Sequence, residues 1–144
     1  MPSTYKPAYL DLLPNGELQS RAEQAHQRLA KCDLCAWGCR ANRLEGFRGV
    51  CLTTDKARLS SYGPHMGEEA PLTGWRGSGT IFFSRCNMRC QFCQNYDISQ
   101  SDAGKLVEAE ELAAAMLELQ SAVCHNINFV SPSHLIPQIL AALL

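Results

Sequence analysis

The 144-residue chain has no long apolar run: nothing in it approaches the roughly 18 consecutive apolar residues of a membrane-spanning helix. The opening Met1-Pro-Ser-Thr-Tyr-Lys-Pro7 also lacks the apolar stretch of a secretory signal. Charge of one sign is missing as well. Thirteen Lys and Arg against fourteen Asp and Glu leave a net charge of -1, so no bulk field draws the chain to phosphate backbones or anionic lipid. Arg40, Arg43, Arg48, Lys56 and Arg58 make one stretch locally basic, but Glu45 and Asp55 interrupt it and no aromatic ladder accompanies it. Neither nucleic acid nor a membrane is expected as a partner, and the chain reads as cytoplasmic. With 46% hydrophobic and 19% charged residues it is a globular sequence, which excludes collagen, coiled coil and disorder. A chain of this length buries about two thirds of the surface its unfolded form exposes and needs no staples to hold a core.

Cysteine, by contrast, is abundant: eight residues in 144. In a reducing compartment eight thiols are read as metal ligands or catalytic groups before they are read as four disulfides. They also cluster. Cys32, Cys35, Cys39 and Cys51 form C-x2-C-x3-C-x11-C, Cys86, Cys90 and Cys93 form C-x3-C-x2-C, and Cys124 stands alone as a buried thiol. Scattered at random, the second pattern would be expected roughly 0.025 times in a chain of this composition. Three thiolates within eight residues wrap one centre only if the chain curls tightly and turns its backbone N–H groups inward. Such a loop leaves a position open: a 4Fe-4S cube on three cysteines presents a fourth iron, whereas zinc needs a fourth ligand, for which Cys124 or His125 is available. The first group, with Gly38, Gly46 and Gly49 allowing tight turns, fits one closed four-cysteine site for zinc or an auxiliary iron-sulfur cluster.

The surrounding pattern places these groups. Pro14-Asn-Gly16 is a turn, and Glu17 to Ala30 is a helix with Leu18, Ala22, Ala25 and Leu29 on one face and His26 at the surface. Tyr62 to Pro71 reads as a linker, carrying His65, Glu68 and Glu69 in a solvated loop. Gly77 to Ser84 is a glycine-marked turn and apolar strand ending just before Cys86. Val107 to Ser121 is a helix and Asn126 to Val130 a second strand, completing a βαβ unit. The cysteine loop thus sits at a strand's carboxyl end, where the loops of an α/β barrel converge on one face. A last helix follows to Leu144, with Ser131 or Ser133 as its N-cap.

The run Gly77-Ser-Gly-Thr-Ile-Phe-Phe-Ser-Arg-Cys-Asn-Met-Arg-Cys-Gln-Phe-Cys-Gln-Asn95 resembles the first strand and cluster loop of radical S-adenosylmethionine (SAM) enzymes, in the cysteine spacing and in Phe92 before the last cysteine. Within that superfamily Gln94 to Ser99, Asn126 to Val130 and the upstream cysteine segment look like the uncharacterised iron-sulfur proteins related to pyruvate formate-lyase activating enzyme. The resemblance runs from about Cys32 to the end of the chain. It implies an α/β fold: the opening portion of a partial (β/α)6 radical SAM barrel over residues 77–144, preceded by an amino-terminal helix and four-cysteine metal-binding subdomain over residues 1–76. Only two strand–helix units are evident, so the chain reads as truncated or as needing a partner to complete the barrel.

By the same resemblance Cys86, Cys90 and Cys93 hold a 4Fe-4S cluster whose unique iron is chelated by SAM. The implied reaction is reductive cleavage of SAM to a 5'-deoxyadenosyl radical, with an electron donor such as flavodoxin or ferredoxin and a glycyl radical enzyme as substrate. Phe92 would lie near the adenine, or else pack in the core at the strand end. Ser131 and Ser133 occupy the place of the Gly-Gly-Glu-like segment that contacts the SAM amino group in activating enzymes, so cofactor binding stands beside capping as their role. Arg85 and Arg89 flank the cysteines and read as solvated, and His134 has no identifiable partner residue. The alternative, from another class, is a non-catalytic zinc-stabilised protein-interaction module.

Overall fold

The structure is a computed structural model that describes residues 6–144; positions 1–5, where the search for a secretory signal begins, lie outside the described residues. Its elements run α1 (Glu17–Gln27), β1 (Ala57–His65), α2 (Ala70–Thr73), β2 (Ser78–Phe83), α3 (Tyr96–Ser99), β3 (Lys105–Val107), α4 (Ala109–Ser121), β4 (Ile127–Val130) and α5 (Ile136–Ala142). Short 3-10 turns occur at Ala8–Leu12, Arg28–Lys31, Arg43–Glu45 and Ser133–Leu135. Among the described residues no helix is long and apolar enough to cross a membrane.

The four strands form one mixed sheet in the order β3-β1-β2-β4. β2 pairs with β1 antiparallel and with β4 parallel, and β1 pairs with β3 antiparallel. An inner strand covered on both faces needs small or apolar side chains at every position, and Ser-Gly-Thr-Ile-Phe-Phe supplies them, buried at all but Phe82. The core gathers Ile81 and Phe83 of β2, Ala57 and Leu59 of β1, Leu112, Ala115 and Leu119 of α4, and Leu135 and Ile139 at the carboxyl end. Among the helices one starts at a side-chain cap. Glu108 and Glu111 form a reciprocal capping box at α4, the Glu111 carboxylate accepting the Glu108 N–H at 3.0 Å. Gly16, at φ +72°, turns the chain into α1, which packs against α5 through a face that buries Leu18 and Ala22.

Three readings of the sequence change here. Tyr62 to His65, expected in a linker, is the outer half of β1, in register Tyr62↔Ile81, Gly63↔Thr80, Pro64↔Gly79 and His65↔Ser78. That half of the strand is largely exposed, so its residues carry turn chemistry instead of an apolar alternation. The expected division at residue 76 therefore passes through a continuous sheet. Val107, expected in the helix, ends β3, and Glu108 caps the helix after it. Neither Ser131 nor Ser133 caps the last helix: Pro132 holds the N-cap of the 3-10 turn, without a side-chain cap bond, and Ser131 is turned to φ +52°.

The edge strand β3 hangs on one glycine. Gly104 has φ +75°, and a Cβ built there would lie 2.0 Å from the Leu59 carbonyl oxygen, a backbone atom that the β1–β3 pairing holds in place. Gly104→Ala should therefore lower the unfolding free energy by about 2–4 kcal/mol, combining the cost of a left-handed residue with a steric clash. Urea denaturation measures it, and a midpoint equal to that of the parent chain rejects this account of β3.

Candidate metal centre

The cysteine loop leaves β2 through Ser84, whose N–H donates to the Arg58 carbonyl at 2.9 Å and whose hydroxyl donates to the Ala103 carbonyl at 2.7 Å. Arg85 follows in the left-handed region at φ +65°. Its guanidinium makes a two-pronged contact with Asp102, Nε to Oδ1 at 2.9 Å and Nη2 to Oδ2 at 2.6 Å, and donates to the Gln100 carbonyl at 2.8 Å. The hydrogen bond from Arg85 is the main reason the Asp102 carboxyl lies below its ordinary pKa. Arg85 is thus a brace for the loop, not the solvated side chain expected from the sequence, because Asp102 returns to it from the far side of α3.

The loop then closes on its first cysteine. The Cys86 N–H donates to the Ser99 carbonyl at 2.8 Å, and the Met88 N–H points inward to Cys86 Sγ at 3.3 Å. A sulfur that already accepts a backbone N–H is the environment a cluster thiolate requires. Cys93 Sγ lies 3.4 Å from the Ser99 hydroxyl, while Cys90 is exposed. Arg89, also exposed and at φ +51°, reaches the Val50 carbonyl at 3.2 Å.

Cys86 and Cys93 line a cavity with Phe82, Ser99, Ser131 and His134. It encloses about 40 Å3, room for about three water-sized groups, so anything larger projects out of it. Ser131 reaches it from the end of β4; Ser133 lies outside, its hydroxyl accepting from the Asn87 side chain at 3.2 Å. Phe92 is 93% exposed, which overturns the core-packing reading: the chain has left the sheet nine residues earlier, at Phe83, and nothing covers that side of the loop. Cys124 is half-buried against the core and His125 is exposed. Both precede β4, whereas Cys86 follows β2, and since these strands run parallel the two groups lie at opposite ends of the sheet. Neither can serve as the fourth zinc ligand considered for this loop.

The amino-terminal cysteines lie against the same loop. Cys32 and Cys51 are buried, Cys35 and Cys39 half-buried, and all four are free thiols. The chain doubles back on Cys32, whose N–H donates to the Ala41 carbonyl at 3.0 Å and whose carbonyl accepts the Arg40 N–H at 2.9 Å. Gly49 leaves room for Cys39: a Cβ there would meet its sulfur at 2.2 Å. The Trp37 indole donates to the Asn87 carbonyl at 2.7 Å, joining this segment to the cysteine loop. Among the described residues no three His, Cys, Asp or Glu side chains converge as ligands of a single ion. The cube differs in that respect, since each thiolate of a 4Fe-4S cluster meets its own iron.

Arg43, counted above only as part of a basic stretch, is fully buried and makes no ion pair with a carboxylate among the described residues. Its Nε donates to the Thr54 carbonyl at 2.8 Å, its Nη1 donates to the His134 carbonyl at 2.7 Å and lies 3.7 Å from Cys32 Sγ, and its Nη2 has no partner. Only its place between Cys39 and Cys51 marks it in the sequence. The His134 ring is 1% exposed, and among the described residues neither of its nitrogens has a hydrogen-bond partner of good geometry. Burial, and secondarily the Arg43 charge, lowers its pKa from 6.5 to about 4, the backbone of Arg85 and Ser131 pulling weakly the other way.

That shift sets a pH dependence. Between pH 6.5 and about 4 the unfolded chain binds a proton that the folded chain refuses, so this group's contribution is intact above pH 6.5 and declines as pH falls toward 4. The decline amounts to about 3 kcal/mol for the cluster-free chain. Urea titrations at pH 7.5 and pH 4.5 should show a smaller loss in His134→Leu than in the parent; equal losses would contradict the burial argument.

Comparison with known proteins agrees with the loop chemistry. Residues 73–137 match the family model described as a 4Fe-4S single cluster domain. Over 131 residues the chain is 34% identical to an uncharacterised protein of Methanocaldococcus jannaschii, a match that takes in 87% of this chain and 35% of that protein. The chain therefore spans about a third of that relative's length. No solved structure matches it. The matched segment includes Cys86, Cys90 and Cys93, and the group supported at that loop is a 4Fe-4S cluster.

Proposed function

We propose that the chain is a radical SAM iron-sulfur protein of the activating-enzyme type, with Cys86, Cys90 and Cys93 as the cluster ligands. The observation that carries the reading is the meeting, at one end of the parallel β2–β4 pair, of an inward-turned C-x3-C-x2-C loop with Ser131. Held by Cys86, Cys90 and Cys93, a 4Fe-4S cluster would supply the one-electron chemistry of reductive SAM cleavage. The chain's own residues bind and shield. Phe82, Phe83, Ile98 and Val130 give the cavity apolar walls that keep water from the site. Ser131 presents its backbone and hydroxyl at the strand end, Ser133 stands one turn further, and the exposed Phe92 ring is free to cover a nucleobase. A flavodoxin- or ferredoxin-type electron donor and a glycyl radical enzyme as substrate belong to this reading.

We also propose that the amino-terminal cysteines form a second thiolate site, for an auxiliary cluster or for a zinc ion whose binding would have to draw the four thiols together. The support is electrostatic: a buried guanidinium without an ion pair among the described residues, in contact with Cys32 Sγ, finds its counter-charge in metal-bound thiolates. A chain with all three loop cysteines replaced isolates this site; zinc without labile sulfide identifies a structural zinc, iron with sulfide a cluster, and no metal removes the assignment.

Anaerobic reconstitution with iron and sulfide, then reduction and addition of SAM, tests the main reading. The parent chain should give an electron paramagnetic resonance signal that changes on SAM addition, and Cys90→Ala should lose that response by at least about tenfold, because a cube on two thiolates is not held. A Cys90→Ala chain with an undiminished SAM response would sink the ligand assignment. Stoichiometric zinc with no iron uptake by the parent favours the interaction-module alternative.

A further inference from the structure

We propose that the His134 side chain donates a hydrogen bond to the sulfur-rich group held in the Cys86–Cys93 cavity and so sets its reduction potential, an inference that rests on the cluster reading above. Ser131 and Ser133, at the same strand end, are exposed, and the Ser133 hydroxyl accepts from the Asn87 side chain. His134 is different: it lines the cavity, is 1% exposed, and among the described residues neither ring nitrogen has a hydrogen-bond partner of good geometry, the Arg85 and Ser131 backbones acting on it only weakly. Each buried polar atom without a partner costs about 1–3 kcal/mol, so folded proteins rarely keep two on one ring unless something outside the chain completes them.

The ring is also held in place. The Arg43 guanidinium grips the His134 carbonyl at 2.7 Å, the Leu135 N–H donates to the Pro132 carbonyl at 2.7 Å, and Leu135 beside it is fully buried. The left-handed turn at Ser131 brings the chain to this point immediately after β4. Arg43 is therefore a positioning residue, acting through the backbone of His134 rather than on the bound group.

The chemistry selects the contact. A neutral imidazole carries one N–H donor and one acceptor. Thiolates and bridging sulfides are acceptors only, and the cavity wall beside His134 carries two of the cysteines. Hydrogen bonds to cluster sulfurs are one of the terms that fix a cluster's potential, and they favour the more negative, reduced state. The N–H of His134 makes reduction easier at a site whose proposed reaction begins with one.

The test is a redox titration of the reconstituted full chain followed by electron paramagnetic resonance, comparing the parent with His134→Leu and His134→Gln. The leucine variant removes the donor at nearly constant volume and should bring a tenfold smaller equilibrium constant for reduction, about 59 mV more negative for a one-electron couple. The glutamine variant keeps an N–H and should stay within about threefold of the parent. Because the ring has no hydrogen bond of good geometry among the described residues, the cluster-free leucine variant should be no less stable than the parent at pH 7.5. A leucine variant with an unchanged potential overturns the inference while the cluster reading stands. Glutamine behaving as leucine, with a changed spectral line shape, makes His134 an iron ligand and overturns the donor role. A parent chain that takes up no iron overturns the cluster reading and this inference together.

Discussion

Four residue pairs between β2 and β4, from Gly79↔Ile127 to Phe82↔Val130, decide which parts of this chain can meet. Because the strands are parallel, whatever follows β2 lies beside whatever follows β4. The first is the cysteine loop, the second Ser131 to His134. A one-residue slip would turn every side chain of β4 to the opposite face. It would also break the parallel stacking of Phe83 on Phe129, whose ring centres lie 6.1 Å apart. The register is held from both sides: Gly79 lets α4 and the Asn126 backbone approach β2 closely, with a Cβ there only 2.9 Å from the Asn126 carbonyl oxygen. Packing at one end of the strands thus fixes the composition of the cavity at the other.

A second constraint comes from Arg43. Removing a guanidinium from water costs several kcal/mol, and two carbonyl acceptors, Thr54 and His134, recover only part of that. The residue nevertheless spans the distance between the amino-terminal cysteines and the carboxyl-terminal strand end, touching Cys32 and His134 with one nitrogen. Together with Trp37 on the Asn87 carbonyl and Arg89 on the Val50 carbonyl, it makes the two cysteine groups parts of one assembly. A charge so placed is unfavourable on its own account, and its presence is easiest to understand where thiolates carry the opposite charge.

The sequence discloses what is local. C-x3-C-x2-C, the apolar run of β2 and the short strand β4 are each written within a few neighbouring residues, and the structure puts them where that spacing indicates. What it conceals depends on partners far along the chain. Tyr62-Gly-Pro-His65 carries turn-forming residues and becomes a strand because β2 offers it an edge. Arg85 looks like a loop cation until Asp102 folds back onto it, and Arg43 looks like its basic neighbours until it is enclosed with His134, 91 residues further along. Of the two readings of Phe92, only core packing fails: an aromatic beside a strand suggests core, but the loop carries it outward. Burial of a polar residue is a property of the assembled fold, and a single sequence holds no local sign of it.

The same distinction bears on what the span in hand can do. Three cysteines, an inward N–H, a braced Arg85 and an apolar-walled cavity are all supplied by residues between Arg43 and His134, so the means of holding a cluster are contained in it. Recognition of a large substrate is a different matter, for the cavity admits only part of a ligand, and the relative of which this chain matches 35% has most of its length elsewhere. Met88, Phe92 and Tyr96, each more than 60% exposed, leave the outer side of the loop apolar and uncovered. Electron transfer into a cluster depends on sulfur contacts and on access of water. The inner side of this loop provides the first through backbone and His134, and the second is governed by whatever lies over its outer side.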